Sequence, residues 1–134
     1  MKVWVILIFG LLFFSCTKEE RYTTTEMWNM ATAVEPNIQL VPIPNHESDR
    51  RILCENYGPG CIKGSGRRLL VRRVELIAVE FETTKQARAQ AKEIHQWHAK
   101  NWLFDDVTNE PVLESYVKEA FDAQNPNQEL EKRD

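Results

Sequence analysis

Between Arg67 and Phe121 the hydrophobic period alternates between two and 3.6, and this alternation constrains the fold more than any other feature of the chain. Ile77, Val79 and Phe81 point one way from an extended backbone, with Ala78, Glu80 and Glu82 on the other side. Ala87, Ala91, Ile94 and His98 then share one narrow face at 100° per residue. Thr83 and Gln86 match a capping box at the start of that helix, and Asn101 offers a left-handed residue to end it. Trp102–Val107 reads as a strand. Thr108 or Asn109 is expected to cap a second helix, whose apolar stripe is Val112, Leu113, Tyr116, Val117, Ala120 and Phe121. Strand, helix, strand, helix predicts an α+β domain: a small antiparallel or mixed sheet with these two helices on one face. Ferredoxin-like topology is the familiar arrangement of that kind, held as an analogy.

The residues before this block carry weaker signals. Residues 38–43 alternate, but Pro42 and Pro44 confine them to an edge strand. Residues 51–55 form a second short strand candidate, and Gly64-Ser65-Gly66 a turn. The irregular phase at Arg72-Arg73 predicts a bulge or a break into two strands.

The N-terminus has a different character. Lys2 is followed by the uncharged run VWVILIFGLLFF, then by Ser15-Cys16 and polar residues. Twelve residues rise about 18 Å as a helix, against about 30 Å of hydrocarbon, so the run is too short to span and fits the apolar region of a secretory signal. Leu12, Phe13, Phe14, Ser15 and Cys16 stand where bacterial lipoprotein precursors carry the end of their signal and the acceptor cysteine, and this segment resembles them. The resemblance implies removal of residues 1–15, acyl chains on Cys16, and a domain at the periplasmic or cell-surface side of a membrane. It concerns processing and implies no activity. Residues 16–36, rich in Thr and Glu and closed by Pro36, are then expected to be lipidated cysteine and tether, with a short segment around Met27, Trp28 and Met30 docking on the domain. The folded part is expected over 37–124, and a flexible tail over 125–134.

Three cysteines become two once Cys16 is assigned to lipid. Cys54 and Cys61 flank Gly58-Pro59-Gly60, which bends the chain enough for a structural disulfide in an oxidising compartment. Six intervening residues suit neither a redox CxxC pair nor a complete zinc set. The loop would display Asn56 and Tyr57 as a recognition tip, beside Arg68 and Arg72 of the basic stretch, and these four are the expected protein-binding residues.

Other chemistries have less support in the residues. The net charge is −3, with no excess of positive charge for nucleic acid. Residues 78–92 resemble a strand–helix stretch of RNA-recognition motifs, but Leu76 and Ala78 occupy the positions where that family stacks bases on aromatics. His95 and His98, three apart on the expected helix, are the alternative metal pair, yet a buried, hydrogen-bonded His98 is the plainer reading. Asp105 and Asp106 end a strand without forming a ready acid/base pair, since neighbours there face opposite ways. A small envelope hydrolase is the remaining alternative. The leading expectation is a non-catalytic, lipid-anchored accessory or regulatory protein, free of cofactors, that binds another envelope protein.

Overall fold

The computed structural model describes residues 20–131. The expected signal, Cys16 and the last three residues lie outside the described residues. Five strands, β1 (Gln39–Val41), β2 (Arg67–Val71), β3 (Val74–Glu80), β4 (Trp97–Ala99) and β5 (Trp102–Asp105), form one antiparallel sheet in the order β1-β2-β3-β5-β4. Four α-helices accompany it: α1 (Thr24–Val34), α2 (Thr84–Glu93), α3 (Pro111–Phe121) and α4 (Pro126–Glu131). The fold is the expected small α+β arrangement with an antiparallel sheet.

The helices are distributed differently from the expectation. Ala87 and Ala91 of α2 are fully buried against Ile77, Val79 and Leu103. The pair sharing a face is α1 and α3, which cover Leu69, Val71, Leu76, Ala78 and Phe104 on the other side. The sheet is therefore buried on both faces, which explains why Trp102-Leu103-Phe104 is a continuous apolar run instead of an alternating one. β3 and β4 run the same way with β5 between them, a split βαβ unit like half of a ferredoxin-like domain. The analogy ends there, because β2 flanks β3 and α3 lies opposite α2.

Residues 24–34, expected within the tether, are an integral helix. Thr23 accepts from the Glu26 amide and Glu26 returns the bond, a complete capping box. Met27 and Ala31 are buried in the main core, and Tyr116 of α3 donates its hydroxyl to the Ala31 carbonyl at 2.9 Å. Met27, Trp28 and Met30 dock on the domain as expected, and they do so with Ala31 as one face of this helix. At the other end, Asn125 and Pro126 are buried at the start of α4, where a frayed tail was expected.

Helix α2 stops sooner than its apolar pattern suggests. His95 takes a left-handed conformation (φ 55°), its amide donating to Lys92 O and that of Gln96 to Ala91 O, a Schellman ending. The chain then enters β4, so His98 is a strand residue. Arg72 and Arg73, both left-handed (φ 48° and 73°), form the two-residue turn of the β2–β3 hairpin, with no bulge. Glu110 caps α3 by accepting from Val112 N; Thr108 instead donates to the His95 carbonyl. Residues 48–50 and 54–56 are short 3-10 turns, so no strand forms over 51–55.

Candidate functional site

Cys54 and Cys61 are joined by a disulfide. The loop they close is tied to the end of β3: Ile62 N donates to Glu80 O at 2.9 Å and Glu82 N to Gly60 O at 2.8 Å. Gly60 has φ +86°, and a β-carbon there would collide with the Gln86 side chain on α2. The positive φ favours glycine at that position, and any side chain there would also have to displace the end of Gln86.

This anchoring turns Tyr57 inward. It is 6% exposed, and its hydroxyl donates to Asp105 Oδ2 at 2.7 Å. Burial and the Asp105 carboxylate both push the phenol well above its ordinary pKa, so it stays protonated and donating. Tyr57 is thus no recognition tip; of the expected pair on this loop, only Asn56 is exposed.

Antiparallel register explains the neighbours. Arg68, Ile77 and Asp105 are aligned across β2, β3 and β5, so all three side chains lie on the α2 face. Arg68 donates to the Arg50 carbonyl at 3.0 Å, and Arg50 meets Glu75 at 2.6 Å. Asp106, left-handed at φ 62°, has its carboxyl raised by partial desolvation and by Asp105, with Arg68 opposing. Two sets of contacts result along one sheet end, Tyr57 with Asp105 and Arg68 with Arg50 and Glu75. Arg72 is part of neither: four residues further along, about 13 Å, it pairs with Glu35 at 2.9 Å. Arg67 faces the other side of the sheet, beside Ala78. The basic stretch is therefore distributed and forms no single patch.

His95 is exposed in a turn and His98 is 6% exposed on β4, which removes the helical spacing behind the metal alternative. Among the described residues, no group of three or more His, Cys, Asp or Glu is placed to hold a metal ion. His98 lines a cavity of about 200 Å³ with Tyr22, Thr84, Lys100 and Phe121, and Asp105 is not among its walls.

The sheet edges differ. β4 is covered by Gln124, which exchanges two 2.9 Å hydrogen bonds with His98. β1 has no partner strand on its outer side among the described residues. Where β1 leaves the sheet lies a groove of about 450 Å³, walled by Leu40, Val41, Pro42 and Ile43 and by Gly66, Arg67 and Arg68 at the start of β2. Leu40 is 52% exposed and Leu53 44%; they are the exposed large hydrophobic residues among the described ones. Composition alone could not have revealed this groove, since it depends on which edge the chain leaves open.

Comparison with family models, curated proteins and solved structures gives no match for this chain.

Proposed function

We propose that this chain is a cell-envelope lipoprotein, acylated at Cys16, whose α+β domain binds another protein and performs no catalysis. The observation that carries the binding reading is the open β1 edge with its apolar groove and exposed Leu40. An edge strand presents unpaired N–H and C=O groups that an extended partner segment can join. β1 is only three residues long and is followed by Pro42, so backbone pairing offers about two hydrogen bonds of about 1 kcal/mol each. Specific binding at μM affinity requires about 8 kcal/mol, so apolar side chains seated in the groove must supply most of it. The Tyr57–Asp105 hydrogen bond and the pairing of Arg50 and Arg68 with Glu75 support a scaffold role for that end of the sheet.

A photo-crosslinking residue placed at Leu40 in the cell tests this reading, with the same residue at Glu119 on α3 as the control. A discrete adduct to a second protein from position 40 and none from 119 is expected. Identical adducts from both positions, or none from 40, would overturn the binding reading. Mass measurement of the N-terminal peptide tests the lipid independently: Cys16 is expected to carry acyl chains and to begin the mature chain.

A further inference from the structure

We infer that one end of the domain, made by residues 20–22, the first turn of α2 and the β4–β5 turn at Lys100, rests on the phospholipid headgroups of the membrane that holds the lipid. The inference rests on lipidation at Cys16 and goes beyond it, from anchoring to orientation.

The described chain begins bound, not free. Glu20 O accepts from Thr84 Oγ1 at 3.0 Å. Arg21 reaches Phe81 O at 3.4 Å and Glu80 at 3.8 Å. Tyr22 N donates to Asn101 Oδ1 at 2.8 Å, and its carbonyl accepts from Trp102 Nε1 at 2.8 Å. Lys100 Nζ sits 4.3 Å from the centre of the Tyr22 ring. These contacts clamp residues 20–22 across the ends of β3, β5 and α2.

Only four peptide units separate Cys16 from Glu20, and fully extended they reach about 14 Å. A domain of this size has a radius of gyration of about 13 Å, so its diameter is at least twice that leash. The domain cannot turn over. The clamped end must stay within headgroup reach, whatever the remainder does. Arg21 and Lys100 at this end are paired with Glu80 at 3.8 Å and Glu20 at 3.4 Å, and Lys85 stands near Glu82, so the end carries no net positive excess and it is the short leash that holds it to the headgroups. The β2–β3 turn is carried by the seven residues of β3 to about 20 Å from this end. The β1 edge lies three strands across from β5, at about 14 Å.

The test uses the full acylated chain in vesicles of phosphatidylethanolamine and phosphatidylglycerol. Lys85→Cys and Arg73→Cys each provide one labelling site, since Cys54 and Cys61 are bonded to each other. A fluorophore at each is exposed to quenchers carried on lipid headgroups. Quenching severalfold stronger at 85 than at 73 is expected, and Asn101→Ala, which removes the Asn101 side-chain bonds to the Tyr22 backbone, should reduce the contrast. Equal quenching at the two sites on acylated protein overturns the orientation while leaving lipidation intact. A chain without acyl chains on Cys16 overturns both.

Discussion

The Tyr57 hydroxyl donates to Asp105 Oδ2 at 2.7 Å across 48 residues of sequence, joining the disulfide loop to the end of β5. The donor is buried and the acceptor is half-buried, so water cannot fully replace the bond. Tyr57→Phe keeps the ring and removes the donor. A hydrogen bond to a charged group is worth about 1.5–3 kcal/mol, and a loss in that range is expected from urea melts. Asp105→Asn should give a similar loss, and the double variant should lose little more than either single one.

Helix α1 belongs to the core. Met27 is 2% exposed among Ala31, Val117 and Phe121. Met27→Ala should destabilise the domain by about 2–4 kcal/mol through lost burial and the cavity left behind. Exposed Asn29→Ala on the same helix should cost less than about 0.5 kcal/mol. Equal melts for the two variants would return residues 24–34 to a tether.

The readable parts of the fold were those where one physical rule dominated. The β3 alternation, the α3 stripe and the Gly-Pro-Gly bend between the cysteines each had a single reading. Errors arose where a residue stood in for a commoner one. His95 ends α2 in a position that glycine or asparagine usually fills, so the apolar pattern ran on through His98. The irregular phase at Arg72-Arg73 did mark the break into two strands, but not the hairpin turn that joins them, which lacks the usual Asn-Gly and has Arg72 held by Glu35. Thr and Glu made residues 16–36 look like linker, although Thr23 and Glu26 are there a capping box. Tyr57 could not be placed, because its partner Asp105 is distant in sequence and only strand register brings it close.

The Cys54–Cys61 bond should be structural. It closes a short loop, for which constraint of the unfolded chain gives about 2–3 kcal/mol. Reduction of the isolated domain should lower its melting temperature by on the order of 10 °C. Refolding after reoxidation should restore the original value, with no metal gained or lost.

Asp106 predicts a pH dependence. Its carboxyl is raised in the fold by partial desolvation and by Asp105, so ionisation is disfavoured there relative to the unfolded chain. Stability from this group is fully present below the unfolded carboxylate pKa, about 3.9, and is lost as pH rises through the higher folded value. Asp106→Asn removes that penalty and tolerates the left-handed backbone at φ 62°. The variant should be more stable than the parent at pH 7, and its advantage should shrink as pH falls through the raised folded value and be gone below about 4. A constant difference across that range would remove the electrostatic explanation.

His95 and His98 should respond in opposite directions to substitution. The left-handed conformation of His95 places its β-carbon in an unfavourable position, at a cost of about 1–2 kcal/mol for an ordinary residue. Glycine relieves this but adds freedom to the unfolded chain, so His95→Gly should stabilise by a net of roughly 0.5–1 kcal/mol. The exposed imidazole contributes little packing to lose. His98 is 6% exposed on β4, under α2, and its backbone forms both bonds to Gln124. His98→Ala leaves those backbone bonds available but removes a buried ring, and should destabilise by about 1–3 kcal/mol. A shared metal site predicts something else: parent protein stabilised by zinc or copper, and both variants losing that stabilisation. Urea melts of parent and variants, with and without each metal, separate the two patterns. A stabilised His95→Gly domain that is indifferent to metal would establish His95 as a helix-ending residue.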